Sequence, residues 1–180
     1  MLISEIPMKR LLLCLTFTAI PAAHAADWTP VFKVFEKEAC GLGEHPVLEK
    51  IILMQVRFNK KESIDELYLD PNAKKGNYSG VPQPYRSDMQ AAVLTKFEGD
   101  TAAYLPLKNA KLYGLNIVGY TEYSRPGTEV GGMMVHFAPM QAKDFQKLKK
   151  IKFLEDELQL GGVIAKDKKG NVLLECHLSI

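Results

Sequence analysis

The chain has 180 residues, 47% of them hydrophobic and 24% charged, with a formal net charge of +2 at pH 7. That length can bury one core without the help of a metal. The near-neutral balance excludes the overall basic character of a nucleic-acid binder or of a protein held on an anionic membrane, and no apolar run reaches the ~18 residues of a membrane span.

Residues 1–25 read as a cleavable export signal. Met8-Lys9-Arg10 is a short basic start, 11–20 an apolar core, Pro21 a break, and Ala23-His24-Ala25 a small-x-small cleavage site, with the cut expected before Ala26. Glu5 is out of place in a basic leader, so Met8 competes with Met1 as the start. Cys14 follows the bulky Leu13 inside a continuing apolar run, which makes a poor lipoprotein signal. Residues 26–180 are then expected to form one periplasmic α+β domain. Removal of Cys14 leaves Cys40 and Cys176, an even pair in an oxidising compartment and outside any C-x-x-C, so a structural disulfide is expected between them. A loop of roughly 140 residues closed in this way corresponds to about 5 kcal/mol of unfolded-state entropy in the chain model.

Thr29-Pro30 opens a predicted helix over 30–40, with Val31, Phe32, Val34, Phe35 and Ala39 at helical spacing and Gly41 as its stop. From Pro46 a helical turn is expected to pass into a strand near Ile51, followed by a polar turn over 59–63 and a returning strand over 64–69. Residues 70–88, with three prolines and several turn formers, leave no room for an element and read as a long contact loop. Runs 91–97 and 101–107 pair around Glu98-Gly99-Asp100. A strand over 112–120 is expected to pair with 132–137 across the loop 124–131, with Gly114 and Gly119 marking bulges or close backbone approach. An amphipathic helix over 141–149 follows, burying Phe145 and Leu148; Lys143, Lys147, Lys149, Lys150 and Lys152 read as a solvated face with cations near its C-terminus. Glu155-Asp156-Glu157 is an acidic connector, and 163–165 and 172–178 form a last hairpin carrying Cys176. The expected fold is α+β: a single antiparallel sheet of five to seven strands, two helices packed on one face, and one disulfide.

Catalytic and metal-binding constellations are not spelled out. His45, His136 and His177 are scattered and have no H-E-x-x-H or H-x-x-x-H partner. No G-x-S-x-G frames a serine, and Ser79 is a turn residue. Cys176 and His177 are adjacent on a strand and point to opposite sides, so they cannot form a dyad. Glu122, Glu129 and Glu155 are unremarkable as a carboxylate pair, and the Lys-Gly turns at 74–76 and 168–171 lack the glycine spacing of a phosphate loop. No catalytic residue, metal or cofactor is assigned. The feature that suggests recognition is the set Tyr78, Tyr85, Arg86, Tyr123 and Arg125, amphipathic residue types that anchor protein interfaces.

These observations predict a non-enzymatic periplasmic binding protein whose partner is another protein of the cell envelope, with no nucleic acid and no stable membrane insertion. The most concrete form is an inhibitor or immunity protein that fills an enzyme's cleft with loop 70–88 and the Arg125-Pro126-Gly127 turn. The rivals are a small periplasmic hydrolase using His136 and Glu122, and a carrier of small apolar ligands with a cavity between sheet and helices.

Overall fold

The computed structural model describes residues 25–37, 40, 45–60, 64–97, 99–125, 130–154 and 161–179. The expected leader, but for Ala25, lies outside the described residues, as do Gly41, Pro126-Gly127 and the connector 155–157. Among the described residues no helix is long and apolar enough to cross a membrane.

Strands dominate. β1 (Met54–Asn59) and β2 (Ile64–Leu69) make a small antiparallel sheet of two. β3 (Val93–Phe97), β4 (Asp100–Leu112), β5 (Leu115–Ser124), β6 (Val130–Phe137), β7 (Gly162–Lys166) and β8 (Val172–Ser179) make one antiparallel sheet of six, ordered β3-β4-β5-β6-β8-β7. Helices are few and short: α1 (Thr29–Phe32), α2 (Pro71–Lys74), α3 (Tyr85–Asp88) and α4 (Ala142–Leu148). The large sheet falls within the expected strand count, but the chain has a second sheet, and its helical cover is slighter than two packed helices.

The departures have local causes. The segment after Trp28 makes one α turn, tightens to a 3-10 turn over Lys33–Glu36, and turns extended at Lys37. Val31, Phe32, Val34 and Phe35 are all buried, and their i, i+1, i+3, i+4 spacing keeps them on one side of these two turns, facing the core. Cys40 stands beyond the helix, at φ 59°, where it meets Cys176 of β8 with Cα atoms 6.1 Å apart. The strand expected over 112–120 is divided by a two-residue turn: Tyr113 and Gly114 both take positive φ, 53° and 74°, and Leu112 pairs with Leu115. This is the primed geometry that matches strand twist. Gly119 behaves as expected. The β5–β6 register shifts beside it, and the Tyr104 ring occupies the space its Cβ would need.

Loop 70–88 is built rather than bare. Asp70 caps α2, its Oδ1 accepting from the N–H of Asn72 (2.8 Å) and Ala73 (3.0 Å), with Pro71 in the first turn. Ala73, Tyr78, Val81 and Met89 then enter the core. The buried Asp88 carboxylate accepts from the Trp28 indole N–H at 3.0 Å and ties this segment to the chain's beginning. Residues 26–28 add a short parallel bridge to β4 at Lys111.

The sheet thus has two faces. One carries Leu105, Ile117, Tyr120, Val135 and Leu174 beneath the aromatic stack of Trp28, Phe32 and Phe35 and the inner side of Leu148. The other carries Ala102, Tyr123, Met134 and Leu173, with Phe97 against them, a cluster contributed by strands alone.

Candidate functional site

The structure separates the five residues chosen from the sequence. Tyr78 is buried against the core, its hydroxyl donating to the carbonyls of Ala73 (3.2 Å) and Gln90 (3.0 Å); burial pushes the phenol up to about 12. Tyr85 packs edge-on against Trp28 at 5.0 Å, and burial raises its phenol too. Arg86 is exposed and donates to the Ser79 carbonyl at 3.2 Å. These three belong to the loop on the core side. Tyr123 and Arg125 project from the other face of the sheet, two residues apart on one chain, and are brought together with groups that the sequence did not join to them.

On that face the side chains form three hydrogen-bonded sets. Tyr123 spans β6 above Gly132, where a Cβ would collide with its phenol. Its hydroxyl meets His177 Nδ1 at 2.8 Å, and His177 Nε2 lies 3.2 Å from Glu175 Oε2. Phe97 packs on the Tyr123 ring at 4.8 Å. Next along β5, Thr121 Oγ1 and His136 Nε2 are 2.7 Å apart, and the Tyr104 ring stands edge-on to the imidazole at 5.4 Å. Burial holds His136 below its ordinary pKa, against a weaker upward pull from Asp167. Tyr104 donates its hydroxyl proton to the Val118 carbonyl at 2.9 Å. Finally, Arg125 grips the buried Asp100 with two N–H groups, at 2.7 and 3.2 Å, and keeps its outer part in solvent.

Such an arrangement can hold a partner's surface at low entropic cost, because its rings and guanidinium are already fixed by neighbours. The chain of carboxylate, imidazole and phenol also has the form of an oriented base beside a weak acid. The signal that could have found it is the cross-strand register, which places Gly132 opposite both Tyr123 and His177. Nothing in the local sequence declares that pairing.

Glu122 sits on the opposite face from His136. Its carboxyl accepts the Tyr120 hydroxyl and the Leu53 N–H, and burial lifts it to about 7 although part of its side chain meets solvent. The pair proposed for a hydrolase therefore does not meet across this sheet. Among the described residues no three or more His, Cys, Asp or Glu side chains converge as metal ligands must. A second exposed surface is the β1–β2 hairpin. Met54 and Leu69 at its root pack on the core, while Val56 and Phe58 further out are 62% and 58% exposed.

No family model matches the chain, no curated protein matches it, and no solved structure matches its fold.

Proposed function

We propose that this chain is an exported, non-enzymatic binding protein of the cell envelope that acts on another protein there, an inhibitor or immunity protein of an envelope-acting enzyme being its most concrete form. The observation that carries the reading is the strand-built face on which Tyr104, Tyr123, His136, His177 and Arg125 are each held by a hydrogen bond, to Val118, His177, Thr121, Tyr123 and Asp100 in turn. Tyrosine and arginine are the residues in which binding energy concentrates at interfaces, and fixed rotamers reduce the entropy lost on docking. The Cys40–Cys176 bridge joins β8, which carries His177, to the N-terminal segment behind the sheet. Contact, on this account, runs through the exposed Arg125 and His177 of the sheet face, which Asp100 and the buried Tyr123 hold in position.

The test is capture from envelope extract with three baits: the parent, Arg125→Ala/His177→Ala on the face, and Phe58→Ser on the hairpin. Fluorescence of the single tryptophan, Trp28, verifies the fold of each. The expected result is a partner held by the parent and the hairpin variant and depleted about tenfold or more on the face variant. A face variant that retains every partner sinks the reading.

The Glu175–His177–Tyr123 chain supports one competing form, a small hydrolase using Tyr123 as its nucleophile or acid. It predicts that Tyr123→Phe abolishes turnover of activated esters; a binding face predicts no such turnover to lose.

A further inference from the structure

At the far end of β5 from Tyr123, the β4–β5 turn, α4 and the β7–β8 turn enclose two clefts on either side of the linker from β6 to α4. One, of about 410 Å³, is walled by Lys111, Asn116, Gln141 and Lys143. The other, of about 490 Å³, has Met140, Phe145 and Val172 on its floor and Lys166, Gln146 and Asn171 at its rim. Ala138, Pro139 and Met140 belong to both. Volumes of this size accept several side chains of a ligand or peptide.

The charge here is one-sided. Lys111, Lys143 and Lys166 are exposed, and Lys149, Lys150 and Lys152 follow at the exit of α4. The carboxylates at hand are engaged. Asp144, the one acid lining either cleft among the described residues, pairs with Lys147 at 3.1 Å. Asp167 accepts from the backbone N–H of Lys169 and Asn171 and from the Asn171 amide, which holds its carboxyl below the ordinary value. Lys166 Nζ, at the rim of the second cleft, stands 4.4 Å from the Phe145 ring centroid, and Lys149 Nζ, which lines neither cleft, stands 5.9 Å from it. A chain of net charge +2 that gathers its lysines in this way carries a local field its overall charge conceals.

We infer that this pair of clefts is a docking site for an acidic, extended segment of a partner protein, with carboxylates meeting Lys111, Lys143 and Lys166 and an apolar side chain resting on Met140 and Phe145. Recessed clefts with an apolar floor favour a peptide over a membrane, because a flat anionic surface would reach the rim lysines and leave the floor empty. The site shares no residue with the Tyr123 face and holds whether or not that face binds anything.

The experiment measures anisotropy of a fluorescent peptide alternating glutamate with leucine against the full chain, at low and at physiological salt. The charge-reversal variant K111E/K143E/K166E is expected to weaken binding about tenfold or more, and the control K60E/K74E/K75E to leave it within about twofold. Affinity should fall as salt rises. Equal weakening by both variants, or by neither, overturns the site. Binding to phosphatidylglycerol vesicles without binding to the peptide overturns it in favour of a lipid surface. An all-glutamate peptide that binds as tightly as the alternating one removes the role given to Met140 and Phe145.

Discussion

Replacing Glu122 by Gln should make the protein more stable above about pH 4.5, the gain growing with pH until it is complete a little above pH 7. The carboxyl is held near 7 against an ordinary 4.5, chiefly by burial, with the Tyr120 hydroxyl and the Leu53 N–H pulling the other way. A raised carboxyl pKa means that the folded state keeps a proton the unfolded chain has already lost. The group's contribution is therefore complete below about pH 4.5 and is lost as pH rises through about 7. Each unit corresponds to about 1.4 kcal/mol, so the whole difference is about 3 kcal/mol, and solvent at the open part of the side chain reduces it to about 2 kcal/mol. Gln keeps the shape and can accept both hydrogen bonds without the charge. Urea unfolding followed through Trp28 at pH 4.5 and pH 8 should show variant and parent nearly equal at the first and the variant about 2 kcal/mol ahead at the second. Taking the difference from the parent at each pH cancels the other titrating groups. A variant that loses stability at pH 8, or whose advantage is the same at both, refutes a buried neutral carboxyl at this position.

Reduction of the Cys40–Cys176 bridge, or Cys176→Ser, should cost about 5 kcal/mol by the chain-entropy model, which corresponds to a fall of roughly 15 °C in Tm by calorimetry. Gly162→Ala drives a Cβ into the Phe35 carbonyl oxygen and should cost about 3 kcal/mol. Gly119→Ala meets the end of the Tyr104 ring first, which can swing away at the loss of its 2.9 Å bond to Val118, and should cost about 1 kcal/mol; denaturant midpoints will rank the two. Asp70→Ala removes the acceptor for two N–H groups at the start of α2 and for the Gln55 amide, a loss of about 2 kcal/mol that should appear as faster hydrogen exchange at Asn72 and Ala73.

Much of this fold was legible because its signals are local. Gly99 and Asp100 lie where β3 turns back into β4, residues 167–171 join β7 and β8, and the two cysteines beyond the expected leader form the bridge expected of them. What stayed hidden depends on who sits opposite whom. Tyr113-Gly114 turns the chain without the Asn-Gly or Asp-Gly that announces such turns, so β4 reads as ending near 107 and its last residue, Leu112, as the start of β5. The short helices after Asp70 and Pro84 draw their stability from four buried side chains in the core, which composition alone presents as a loop. The Tyr123 set is further removed again. Tyrosine and arginine were chosen for their chemistry, but His177 joins Tyr123 only because β8 lies beside β6 and Gly132 leaves the space between.

The two titratable groups facing away from each other across β5 and β6 bring the same physics to opposite effect. Burial raises Glu122 and lowers His136, since each is pushed toward its neutral form. Above about pH 4.5 the unfolded chain has lost the Glu122 proton, which the folded state keeps, and below about pH 6.5 it still binds the imidazole proton, which burial makes the folded state give up more readily. Stability falls with rising pH through the first and climbs with rising pH through the second, so in the parent the two slopes have opposite sign. His136→Gln, which can keep a hydrogen bond to Thr121, should therefore gain on the parent as pH falls below about 6.5, while Glu122→Gln gains as pH rises. Unfolding free energies at pH 4.5, 6 and 8 for parent, single variants and double variant decide it. If the two single variants drift from the parent in the same direction as pH changes, burial does not push these two groups toward their neutral forms in opposite senses, and the reasoning fails.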